Sequence, residues 1–157
     1  MTAAGGCSGG TGPASKPSVE ATATAALALT DAAPRLAAGP RERANAAAAD
    51  AIRWLVSRQV ASGTFKGGRD TNATGLAGTA LGEAGKKKRA AKAAAWVAGL
   101  QVTSKLVRTT KFRARDLGAI AYNAASFKDG RMSGIARADR YQWRRATAQA
   151  APALDHR

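Results

Sequence analysis

The chain has 157 residues, enough for one ordinary domain, and 45% are hydrophobic but only 5% aromatic; alanine supplies more than half of the apolar count, so the core must be thin and close-packed. Net charge is +15 and uneven, with 8 Lys/Arg against 6 Asp/Glu in residues 1–85 and 17 against 4 in residues 86–157, a bias that attracts anionic partners or keeps an alanine-rich surface solvated. The single cysteine, Cys7, excludes an internal disulfide, and no run reaches the roughly 18 apolar residues that span a bilayer.

Residues 1–17, MTAAGGCSGGTGPASKP, read as a flexible leader, and residues 18–157 as a helical repeat domain. Cys7 after Ala4-Gly5-Gly6 is similar to the end of a bacterial lipoprotein signal. If a start lies upstream, the expected location is extracellular or the cell surface; otherwise it is cytoplasmic. Ser18 then caps a first helix with Glu20 in its first turn, and Val19, Ala23, Ala26, Leu27 and Thr30 share a face. Pro34 and Gly39-Pro40 are expected to separate it from the next helix.

A second helix is predicted over residues 41–59, with Ala44, Ala47, Ala51, Trp54, Leu55 and Arg58 at three-four spacing. Gly63 and Gly67-Gly68 mark a loop. A third helix starts near Thr71 or Asn72 with Asp70 and Thr71 as cap candidates. Its Gly75 and Gly78 cost about 0.5–1 kcal/mol each relative to alanine, so they imply close backbone approach. Lys86, Lys87, Lys88 and Arg89 open a fourth helix against its own dipole, which singles the run out as a candidate anion-binding site together with Arg144 and Arg145. Residues 103–115 read as a basic loop. A fifth, small-residue helix is predicted from Asp116 until Asp129-Gly130 breaks it. Residues 138–154 read as a sixth helix of outer type.

The second and fourth helices repeat one another. Trp54 and Gln59 recur as Trp96 and Gln101 at an offset of 42, and Val60 and Val102 keep the register. A period of this size on helical sequence marks an array of helix pairs. Long helices bearing tryptophan and charge then alternate with slim glycine-lined ones, as outer and inner layers would.

The unit Ala51-Trp54-Leu55-Gln59-Gly63-Phe65, followed by Thr74-Gly75-Leu76-Ala77, resembles the prenyltransferase and squalene-cyclase repeat. Gly118 to Tyr122 and Tyr141 to Gln149 are similar to the end portion of secreted actinobacterial proteins built from such repeats. The resemblance implies an all-α fold, an α/α toroid, here an incomplete or half ring of about six helices. It also implies exposed inner surface, inviting self-association, a protein partner or a small apolar ligand. Trp54, Gln59, Gly63, Phe65, Trp96 and Gln101 are expected to be structural fasteners. Asp70 and Asn72, at the start of an inner helix, and Tyr122 and Asn123, on the next, are the candidates to face a ligand, with capping and core packing as their plainer roles.

Catalysis is not expected. The enzymes of this resemblance use clustered aspartates, whereas Asp70, Asp116, Asp129, Asp139 and Asp155 stand singly. Cys7 and His156 lie at opposite ends, so no metal site and no cofactor are expected. The expected function is a non-catalytic helical-repeat binding or surface module. One alternative is a basic module that binds nucleic acid or another anionic polymer through residues 86–115 and 137–145. The other is a remnant of a terpenoid cyclase or prenyltransferase-type enzyme.

Overall fold

A computed structural model describes residues 16–157; Cys7 and residues 1–15 of the leader lie outside the described residues. The described residues form an all-α fold of seven helices: α1 Val19–Ala32, α2 Ala38–Arg58, α3 Thr71–Glu83, α4 Lys87–Ala98, α5 Ser104–Thr109, α6 Ala124–Ser133 and α7 Arg140–Ala150. Short 3-10 turns occupy Ala33–Arg35, Ala114–Asp116 and Ala151–His156. Among the described residues no helix is long and apolar enough to cross a membrane.

Local chemistry sets the helix starts. The Ser18 hydroxyl accepts from the Ala21 N–H, and the Asp70 carboxylate accepts from the Ala73 N–H at 2.9 Å. The second helix begins earlier than predicted, with Gly39-Pro40 inside its first turn. A proline there removes an N–H that has no intrahelical acceptor in any case.

Helix α3 is the axis of the molecule. Every residue from Thr71 to Gly75 is buried, as are Ala77, Gly78, Ala80 and Leu81. Helix α4 folds back on it through residues 84–86, α1 lies along its other flank, and α2 packs chiefly on α1. The chain from α7 to His156 runs beside α3 in the same direction. Gly75 faces Ala150, Gly78 faces Ala153 and Gly82 faces the His156 ring. A Cβ on Gly75 would lie 2.8 Å from that of Ala150, and one on Gly78 2.9 Å from that of Ala93. The glycines of the slim helix thus serve close approach on two sides.

The two tryptophan helices end in the same hook. After α2, the Val60 N–H donates to the Thr64 carbonyl (2.9 Å), the Gly63 N–H to the Val60 carbonyl (3.0 Å) and the Lys66 N–H to the Arg58 carbonyl (2.9 Å). After α4, Val102 donates to Ala119 (2.8 Å), Gly118 to Val102 (2.9 Å) and Ala121 to Leu100 (3.1 Å). The bridges Gln59–Phe65 and Gln101–Ile120 match as well. The offset is 42 up to Val102 and 55 from Gly118, so 13 residues, 103–115, are inserted into the second hook.

Three expectations are corrected. Residues 103–115 are not a bare loop but hold α5 and lead into the 3-10 turn that ends at Asp116. The slim helix predicted from Asp116 is absent: residues 117–123 are non-helical, and α6 starts at Ala124 and passes through Asp129-Gly130 without breaking. Tertiary bonds hold that stretch open. Besides the hook, the Ile120 N–H donates to the Thr147 hydroxyl (2.9 Å), and the Tyr122 carbonyl accepts from the Thr71 N–H (2.9 Å). Finally, α7 lies against the glycines of α3 rather than in an outer layer, because Ala146, Ala150 and Ala153 give it a buried face of small residues.

Candidate functional site

The expected fasteners lie on α2, on α4 and in the two hooks. Trp54 is buried on α2 with the Arg58 guanidinium 5.0 Å over its ring, and Phe65 is fully buried beneath the first hook. Trp96, half-buried on α4, packs against two core clusters, one built from Leu100, Val102, Phe112, Ala121 and Trp143 and the other from Val97, Ile120 and Ala150. The Gln59 side-chain amide donates to the Gly63 carbonyl (3.2 Å) and that of Gln101 to the Gly118 carbonyl (3.3 Å). Both glycines hold positive φ, 94° and 84°, a region that favours glycine.

Three of the four candidate ligand-facing residues come together where α1, α3 and α7 all begin. There a cleft of about 330 Å³ is lined by Glu20 of α1, Asn72 of α3, Tyr122, and Tyr141, Gln142 and Arg145 of α7. Asp70 caps α3 beside it. Asn123 goes elsewhere: its side chain caps α6 by accepting from the Ser126 N–H at 2.9 Å.

The cleft is held by charge and amide contacts. Arg145 reaches the Glu20 carboxylate at 3.4 Å, and the Gln149 amide approaches the same oxygen at 3.5 Å. Glu20 and Asp70, in the first turn and at the cap of their helices, also answer the positive ends of those helix dipoles. Asp70's charge, then burial, then Glu20 push the Tyr122 phenol above its ordinary value, with Arg145 pulling the other way. Around Tyr122 two carboxylates, Glu20 and Asp70, thus stand against one guanidinium, Arg145.

Asn72, like Arg58, Gln59, Thr74 and Gln149, holds a buried side-chain atom that makes no hydrogen bond among the described residues, and of the five it alone lines the cleft. It is only 4% exposed, and its side-chain oxygen has no hydrogen-bond partner. The Gln149 side-chain oxygen is likewise buried and unpartnered. A buried acceptor left without a donor costs about 1–3 kcal/mol, so α3 carries this residue at the cleft wall at the expense of stability. Glu20, Tyr141, Gln142 and Gln149 were not picked out from the sequence. Their signal was the row of small residues Ala146, Ala150 and Ala153 facing Gly75 and Gly78, which lays α7 on α3 and brings its start to the cleft.

The candidate anion-binding residues do not form one surface. Lys86, Lys87, Lys88 and Arg89 are exposed around the start of α4, beyond the far end of α3. Arg145 lies at the near end, and the 13 residues of α3 separate the two by about 20 Å. Arg144 points away from the cleft into a separate groove with Arg115 and Arg140. Among the described residues, no three His, Cys, Asp or Glu side chains stand close enough together to hold a metal. No family model, curated protein or solved structure matches the chain.

Proposed function

We propose that this chain is a non-catalytic helical-repeat binding module whose ligand enters the cleft at the head of α3 and carries clustered N–H or O–H donors, as a polyol or an amine does. The observation that carries the reading is the placement in that wall of Asn72, whose buried side-chain oxygen accepts no hydrogen bond within the protein. Glu20 and Asp70 add acceptors nearby, and the Tyr122 and Tyr141 rings offer faces against which a sugar or an ammonium packs.

The finer architectural reading belongs to the same proposal. It is a partial α/α ring of the prenyltransferase and squalene-cyclase repeat type, with α1, α3 and α7 as inner helices and α2 and α4 behind them. Supporting it are the duplicated hook, the shared direction of α3 and α7, and the meeting of three helix starts at one cleft, which would be the ring's mouth.

The test is amide-resolved NMR on the full chain with sorbitol, glucosamine and spermidine as probes. The expected result is saturable shifts at Asn72, Tyr122 and Arg145 with at least one probe, lost in Asn72→Leu. Shifts confined to the exposed basic surface, or equal shifts in the variant, would count against the cleft. Comparing glucosamine with sorbitol and spermidine separates polyol from amine recognition.

A further inference from the structure

A second concave surface lies apart from the cleft, between residues 115–119 and α7. We propose that this groove binds a free single-chain aliphatic carboxylate, its tail on the apolar floor and its head between Arg115, Arg140 and Arg144. The groove measures about 690 Å³, within the range of small-molecule sites. Trp143, buried to 4% exposure and stacked edge-on to Phe112 at 5.7 Å, anchors its floor beside Ile135 and Ala119, and Leu117 stands 58% exposed at its edge.

Two of the three cations around this floor are uncompensated. Arg140 and Arg144 are one turn apart on α7, a like-charge spacing that destabilises a helix, and neither forms an ion pair among the described residues. Arg115 has one acidic neighbour, Asp116 at 4.0 Å, whose carboxylate also lines the groove and accepts the Arg113 N–H at 2.9 Å. Three guanidinium groups against the single carboxylate of Asp116 leave the rim of an apolar floor with net positive charge, complementary to one anionic head on one apolar chain. The planar fork of arginine suits a carboxylate through paired hydrogen bonds.

The origin of the groove wall points the same way. The first hook closes in four residues, from Gln59 to Gly63, and makes the same bonds as the second. The 13 extra residues of the second hook are therefore unnecessary for turning the chain, and the last of them, Arg115, joins Leu117 in the wall facing α7.

Calorimetry on the full chain at low salt tests this, with octanoate, decanoate and dodecanoate below their micellar concentrations, and decanol and decyltrimethylammonium as controls. Affinity should rise about fourfold per added methylene, the equivalent of ~0.8 kcal/mol each. The ammonium amphiphile should not bind. Arg140→Gln with Arg144→Gln should weaken decanoate by roughly tenfold or more while leaving decanol unchanged. Leu117→Asp, at an exposed position that cannot unfold the core, should weaken every chain length. Equal binding of carboxylate and ammonium, no dependence on chain length, or an unchanged Kd in the double variant would overturn the proposal. So would adsorption to phosphatidylglycerol vesicles without saturable decanoate binding, which would reassign the face to a membrane surface.

Discussion

The side-chain amide of Gln59, at the end of α2, donates to the backbone carbonyl of Arg89 in the first turn of α4 at 2.9 Å, as well as to Gly63 in its own hook. One glutamine therefore closes a turn and fastens two helices through a residue 30 positions further along the chain. Gln101 makes only the first of these bonds. Each net hydrogen bond is worth about 0.5–1.5 kcal/mol. Gln59→Ala should lose roughly 2 kcal/mol of hydrogen bonding in urea unfolding, offset in part by removal of its buried, donorless side-chain oxygen, and Gln101→Ala about 1 kcal/mol. A Gln59→Ala loss smaller than that of Gln101→Ala would show that the offset outweighs the Arg89 bond.

The glycines of α3 and α2 should respond in opposite directions. A Cβ at Gly75 would collide with the backbone of Ala150, which cannot swing aside as a side chain could. Gly75→Ala should cost about 1–3 kcal/mol as overpacking. Gly39, in the first turn of α2, would meet only the tip of the Arg43 side chain at 3.7 Å. Gly39→Ala should stabilise, by up to about 0.5–1 kcal/mol. Thermal melts of the two variants give the sign of each effect.

These residues also mark what could be read from the sequence. The Trp-Gln register was visible because a glutamine at a helix end and a glycine at positive φ are local requirements of the hook. The slim character of α3 was visible because glycine inside a helix has few reasons other than close contact. The conformation of residues 117–123 was not, since Gly118-Ala-Ile-Ala-Tyr122 suits a helix equally well on propensity. Its geometry is decided by partners far away: Val102, Thr147 and Thr71. The place of α7 was hidden for a related reason. Its arginines suggested an outer helix, while the small residues that dock it on α3 count only once their glycine partners are known. The cleft was half legible, through Asp70, Asn72 and Tyr122, and the half supplied by α7 was not.

The two carboxylates around Tyr122 have an effect of measurable sign. The folded protein holds the Tyr122 phenol above its ordinary value of 10.0, chiefly through Asp70. A group raised in the folded state contributes stability that is present below the unfolded value, about 10, and lost as pH rises through the folded value. Asp70→Asn keeps the helix cap, because asparagine caps as well as aspartate, and removes the charge. The ultraviolet titration of Tyr122 phenolate should then move to lower pH with little change in stability at neutral pH. An unmoved titration would mean that burial and Glu20 raise the phenol without Asp70.

The start of α4 should be improvable. Lys87, Lys88 and Arg89 occupy its first turn, and Lys86 at the cap position makes no side-chain capping bond. Their charges face the positive end of the helix dipole. Lys87→Glu should stabilise by about 0.3–1 kcal/mol at low salt, and the gain should shrink as salt screens it. Destabilisation instead would show that these cations have an acidic partner that the dipole relationship leaves out.

The sharpest prediction concerns Asn72, because structural and ligand-binding roles demand opposite results. If its carboxamide supports the fold, replacing it with leucine, a side chain of similar size, should lower stability. Its oxygen, however, is buried without a donor, and relieving an unmet acceptor of that kind is worth about 1–3 kcal/mol, less whatever strain leucine introduces. Asn72→Leu should therefore raise the urea midpoint by an amount equivalent to about 1 kcal/mol and at the same time abolish probe binding in the cleft. Such a trade of stability for binding is the signature of a side chain retained for a ligand. A less stable variant would assign Asn72 to the fold and remove the main support for the cleft, while the arginine-rimmed groove beside α7, built from other residues, would stand or fall on its own measurement.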